Sequence, residues 1–191
     1  HGQLNAERDN VILVFHALSG SHHLAGYTAE VPDVGARWNE ECHVGWWDRF
    51  VGPGKAVDTD RFFVVCANYL GGCYGSTGPS SINPNTGCPY GASFPHVRAA
   101  DVVDSQIQLL DHLEIDKLHA VIGASLGGLM CMSLATRYPE RVGIVIPIAA
   151  SLAVSPLQRI HNFEQICAIE QDPHFLGGDY YDGPAPERGL S

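Results

Sequence analysis

Ser125 lies in Gly123-Ala124-Ser125-Leu126-Gly127, a Gly-x-Ser-x-Gly pattern within the run "HAVIGASLGG". A serine hydroxyl attacks acyl carbon once it is held out from the chain and deprotonated by a neighbouring base. Flanking glycines suit such a corner, because the missing Cβ lifts the steric bar to positive φ and to close backbone contact. The apolar run Leu118 to Ile122 reads as a buried strand, and a small-faced helix begins at Leu126. Strand, corner and helix are the setting in which this pattern forms a nucleophile elbow. The unpaired N–H groups and the dipole of that helix then face an oxyanion forming at the serine.

An oxyanion hole of this kind takes one N–H from the residue after the nucleophile and one from the loop after an earlier strand. Leu126 is the first expected donor. Leu18, in the loop His16 to Gly20 that follows the apolar run Val11 to Phe15, is the second. The general base is a histidine held by a carboxylate, in the chain order Ser, Asp or Glu, His. His161 and His174 follow Ser125, as do Asp172, Asp179 and Asp182, but in a helix-like stretch and in "QDPHFLGGDYYDG". None follows a strand in the required way, so these five are read as structural or cap-surface residues. The acid and the base are therefore expected beyond Ser191. The chain reads as a segment, inactive alone, that begins one strand before the oxyanion loop without the edge strands expected ahead of it.

The elements that must position Ser125 are legible as periodicity. Four runs, Val11 to Phe15, Phe62 to Ala67, Leu118 to Ile122 and Ile144 to Ala149, are continuously apolar. Such runs form a parallel sheet covered on both faces. Ala99, Val103, Ile107, Leu110 and Leu113 recur at helical spacing, and a further helix runs through Leu129 to Tyr138 before Pro139 stops it. Strands alternating with helices predict an α/β sheet with its site outside the carboxyl ends of the strands. The long connections from Ala17 to Asp60 and from Asn68 to Pro95 are expected to wall that site, with Trp38, Trp46 and Trp47 as packing anchors. Residues 1–151 are assigned to the core and 152–191 to the start of a cap. Ile160, Phe163, Ile166 and Ile169 mark a helix within the cap, read as core or cap packing.

Composition narrows the partners. Among 191 residues there are 11 Lys and Arg against 21 Asp and Glu, a formal charge of -10 with no basic stripe, which excludes nucleic acid as a partner. No run approaches the ~18 apolar residues of a membrane span, and the polar start lacks a secretory signal, so a cytoplasmic location is expected. Six scattered cysteines read as reduced thiols. His22-His23 and Cys42-His43 lack partners at zinc spacing, are read as exposed loop residues, and no metal is expected. "GGCYGSTG" lacks the lysine of a phosphate loop.

Longer motifs are more specific. Gly2 to Gly20 ("GQLNAERDNVILVFHALSG"), Gly45 to Ser81 ("GWWDRFVGPGKAVDTDRFFVVCANYLGGCYGSTGPSS") and Asp172 to Gly183 ("DPHFLGGDYYDG") resemble the homoserine O-acetyltransferase family, and the resemblance spans nearly the whole chain. It implies an α/β-hydrolase fold, a mostly parallel sheet with flanking helices. It also implies acetyl transfer from acetyl-CoA to the hydroxyl of L-homoserine through an acyl-enzyme on Ser125, in methionine biosynthesis. The substrate-binding residues would lie beyond Ser191, no permanently bound cofactor is implied, and the full-length enzyme would be a homodimer. Two departures are visible: Ala124 stands where the family usually has glycine, and Ile166 where its cap helix commonly has arginine. A succinyl donor, a serine acceptor and plain ester hydrolysis are the alternatives.

Overall fold

Residues of strand β1 (Val11–Phe15) point alternately to two apolar layers, and both layers are buried. The computed structural model describes residues 1–32, 34–181 and 183–187, which divide into two compact units. Unit 1 is His1–Ser76 with Val97–Leu152, and unit 2 is Thr77–His96 with Ala153–Ser191.

In unit 1 the ladder Val51–Gly52 (β2) with Val57–Asp58 (β3) precedes β4 (Phe63–Val65), and the chain then forms helix α1 (Ala99–His112), β5 (Leu118–Ala124), helix α2 (Leu126–Arg137) and β6 (Val142–Ile148). The main sheet is parallel throughout, in the order β4-β1-β5-β6. Val11, Leu13 and Phe15 join Val103, Ile107 and Leu110 of α1 and Met130, Cys131 and Leu134 of α2 in one core. Ile12 and Val14 face the other way, onto Leu24, Ala25, Val51 and Val57, with Trp46 and Trp47 packed beside them. The connection after β1, expected as a pocket wall, thus supplies the second cover of the sheet. Trp38 is buried and donates from its indole N–H to Thr28 O at 2.9 Å, and Trp46 donates to Ser21 O at 2.9 Å.

The C-terminal end of α2 is tied down. Arg137 donates to both carboxylate oxygens of Asp104 on α1, at 2.6 and 2.8 Å, and the Tyr138 hydroxyl donates to the same group at 2.8 Å. These hydrogen bonds, Arg137 first, hold the Asp104 carboxyl below the usual carboxylate range. Strand β6 differs from its sequence reading. Val142 and Val145 pack toward the helical core, but Ile144, Ile146 and Ile148 are exposed. Alternation places Ile144, Ile146 and Ile148 on the face opposite Val145, where no described element covers them.

In unit 2, helix α3 (Pro156–Glu170) starts at Ser155, whose hydroxyl accepts the Gln158 N–H at 3.2 Å, with Pro156 in the first turn where its missing N–H costs nothing. Its apolar residues do not form a core: none of its described residues is buried, and Phe163 is 66% exposed. Residues 77–96 belong to the same unit, through the Ala92 N–H donating to the Asp179 carboxylate at 2.7 Å. All six cysteines are free thiols. Burial pushes the thiols of Cys66 and Cys131 up to about 12, which leaves both protonated and unreactive. Among the described residues no helix is long and apolar enough to cross a membrane, and no cluster of three or more His, Cys, Asp or Glu is placed to hold a metal ion.

Candidate active site

The strand order reverses direction between β1 and β5, since β4 lies beyond β1 on one side and β6 beyond β5 on the other. Open parallel sheets bind their ligands in the crevice at the carboxyl ends of the strands at such a point. Here those ends carry the loop starting at His16 and the corner at Ser125. Phe15 pairs in register with Gly123, so the two are neighbours before either segment turns.

Ser125 follows β5 directly and occupies the position just before α2, at φ +54° and ψ −118°. That conformation is strained for an L-residue and persists because its surroundings fix it. Its N–H donates to Ile148 O at 2.9 Å, and its carbonyl accepts the Leu129 N–H at 3.2 Å. A Cβ on Gly123 would meet Gly127 O at 2.3 Å, and one on Gly127 would meet Phe15 O at 2.2 Å and His16 O at 2.9 Å. The glycines of the pattern are therefore required by backbone contacts on both sides of the serine. The Ser125 side chain is exposed, not turned into the core.

Leu126 opens α2, and no acidic residue stands in that first turn to offset the positive end of the helix. Leu18 sits in the turn closed by the Gly20 N–H donating to Ala17 O at 2.9 Å, with its side chain 81% exposed. Because Gly127 rests against the carbonyls of Phe15 and His16, the backbone leading into that turn touches the first turn of α2. The two expected oxyanion donors thus lie on adjoining segments. A cavity of about 110 Å³ opens beside the turn, lined by Ser19, Gly20, Ser21, Glu41, Trp46 and Tyr74 among others.

Among the described residues no histidine nitrogen hydrogen-bonds the Ser125 hydroxyl. His174 faces Asp172 across 3.5 Å and Asp179 holds the Ala92 N–H, both within unit 2, whereas Asp182 lies outside the described residues. His23, expected to be exposed, is buried with Nε2 3.0 Å from His43 O, and the Asn68 amide donates to His22 Nδ1 at 3.0 Å. These histidines tie loops together.

One residue at the site was not singled out from the sequence. His16 is 5% exposed, and its Nδ1 lies 2.7 Å from Ala17 O. A carbonyl only accepts, so Nδ1 carries the proton and Nε2 the lone pair. Burial holds this imidazole below its ordinary value of 6.5, against the raising effect of the Ala17 carbonyl and with a smaller lowering by His22. The unfolded chain therefore takes up a proton first, and stability present above about pH 6.5 is lost as pH falls toward the lowered native value. Thermal unfolding between about pH 7.5 and 5 checks this: the wild type loses stability through that window. His16→Asn, which cannot titrate, shows a shallower slope; equal slopes would show that His16 is not the group responsible.

This corner and this sheet define the class. The chain belongs to the α/β-hydrolase fold family, whose model matches residues 10–191. The resemblance read from the motifs holds over the whole chain. Homoserine O-succinyltransferase of Azoarcus sp. (strain BH72) is 50% identical over 191 residues, covering 100% of this chain and 48% of that protein. Among solved structures, homoserine O-acetyltransferase from Bacillus anthracis matches with a TM-score of 0.86 at 38% identity, over 99% of this chain and 50% of that one. Esterase E22 matches with a TM-score of 0.82 at 37% identity, over 99% and 50%. The chain spans about half the length of the curated relatives it matches.

Proposed function

We propose that Ser125 is the nucleophile of a homoserine O-acyltransferase that uses an acyl-CoA as donor. The observation that carries the reading is the exposed serine at φ +54° at the switch point of the sheet, in a chain 50% identical over 191 residues to a homoserine O-succinyltransferase. The Ser125 Oγ attacks the thioester carbonyl and passes its proton to the base. The resulting oxyanion lies against the Leu126 and Leu18 N–H groups. Coenzyme A leaves as the thiol, taking that proton. The homoserine hydroxyl then attacks the acyl-serine ester and loses its proton to the base, which passes it to the departing Ser125 Oγ, restoring the free serine in a ping-pong sequence. Transfer outcompetes hydrolysis only if water is kept out while the acceptor is held in line. The motif resemblance favours acetyl-CoA as donor, and the succinyltransferase name of a relative at 50% identity brings in succinyl-CoA as the competitor.

A second reading, ester hydrolysis, is favoured by the likeness to esterase E22. Both questions are answered by incubating the full-length protein with acetyl-CoA or succinyl-CoA, with and without L-homoserine, and following free thiol and acylated product. The transferase reading expects sustained thiol release only with homoserine present, matched mole for mole by O-acyl-homoserine, and faster with acetyl-CoA. Release indifferent to the acceptor overturns it, and a faster succinyl reaction reverses the donor.

A further inference from the structure

His16 and Tyr69 meet at the root of the oxyanion turn, though 53 residues apart in sequence. Their rings stack with centroids 3.8 Å apart and planes 18° from parallel. The Tyr69 hydroxyl donates to the backbone carbonyl of His16 at 2.6 Å, and burial pushes this phenol well above its ordinary range, so it stays a donor. The His16 ring in turn donates from Nδ1 to Ala17 O, the same carbonyl that accepts the Gly20 N–H. A Cβ on Gly20 would stand 2.9 Å from the His16 Cβ, so the turn closes directly over this residue. Both peptide carbonyls that precede the Leu18 N–H in the turn are therefore held by side chains from inside the fold. The Leu18 amide has no acceptor among the described residues.

The buried Nε2 of His16 has no hydrogen-bond partner among the described residues. A buried polar atom left unsatisfied is costly, and a residue serving only to fill the core would be replaced by an apolar one without that penalty. What histidine supplies here, and phenylalanine or leucine does not, is the Nδ1 proton on the turn.

We propose that His16 and Tyr69 act as positioning residues that lock the plane of the 17–18 peptide, and so aim the Leu18 N–H at the oxyanion formed on Ser125. The proposal rests on the acyl-enzyme reading given above. A misaimed donor affects the transition state, where the negative charge resides, and not the ground-state complex. Oxyanion donors are worth about 10²- to 10³-fold in rate, which sets the ceiling for the loss.

The test uses the full-length protein and acetyl-CoA, measuring the single-turnover burst of thiol release, which is common to transfer and hydrolysis. Four variants are compared with the wild type, with thermal unfolding recorded for each: Tyr69→Phe, His16→Gln, His16→Asn and Ser125→Ala. Tyr69→Phe keeps the stacked ring and loses the hydroxyl. His16→Asn keeps a donor where Nδ1 lies, and His16→Gln moves it away. The expected result is a burst rate lowered about tenfold or more in Tyr69→Phe and His16→Gln at unchanged half-saturating acetyl-CoA, and largely restored in His16→Asn. If His16→Gln does not fold, Tyr69→Phe and His16→Asn decide the matter. Wild-type burst rates in Tyr69→Phe, or equal loss in His16→Asn and His16→Gln, overturn this proposal while Ser125→Ala is inactive. A burst that survives in Ser125→Ala overturns the acyl-enzyme reading, and this proposal with it.

Discussion

On the acyl-enzyme reading, Ser125→Ala in the full-length protein is expected to abolish thiol release from acyl-CoA, a fall of about 10⁴-fold or more in kcat, because removing a covalent nucleophile leaves only the catalysis of the binding site and oxyanion donors. Stability changes little. The serine hydroxyl is exposed and makes no hydrogen bond among the described residues, and alanine meets the same backbone strain at φ +54°. Steady-state thiol assays beside thermal unfolding check both halves of the expectation. A variant that folds normally and still turns over shows that Ser125 is not the nucleophile.

The second large effect is structural. Gly127→Ala places a methyl 2.2 Å from Phe15 O, 2.8 Å from Phe15 C and 2.9 Å from His16 O. All three are main-chain atoms at the end of a buried strand, with no flexible side chain to yield, so β1 and α2 must separate. Ordinary overpacking costs about 1–3 kcal/mol, and this contact lies at or beyond the upper end. For a chain of 191 residues the melting temperature falls by roughly 10 °C, and activity falls because the separation opens the gap between the Leu18 turn and α2. Gly183→Ala is the control, since a Cβ there meets no atom of the described residues within 4 Å. Equal melting temperatures for the two variants would show that the β1–α2 contact is not as tight as described.

The same contact explains what the sequence could and could not disclose. The four apolar runs became strands, with β6 starting at Val142 and not at Ile144, and β4 shrinking to Phe63–Val65. Local pattern suffices there because β-branched runs between turns have few other ways to bury themselves. The elbow was legible for the same reason: its glycines mark close approach wherever they fall, even though the atoms they approach lie 112 positions away in the case of Phe15 and Gly127. Hidden from such reading were pairings between distant side chains with no periodicity, such as Tyr69 on His16. Also hidden was the grouping of residues 77–96 with the last segment, which joins two stretches with no shared pattern. The expectation that continuous apolar runs are covered on both sides holds for β1 but not for β6, whose composition records an intrinsic preference and not the neighbours present.

The corner at 125 is built almost wholly from main chain: an amide on the Ile148 carbonyl, a carbonyl under the Leu129 amide, and three glycines pressed against peptide atoms, the Cys131 sulfur or an alanine methyl. Fold and reagent are therefore separable. The socket has no preference for the short side chain it displays, so a thiol could be installed in place of the alcohol with the mount intact, and changes of reactivity can arise by one codon without rebuilding the frame.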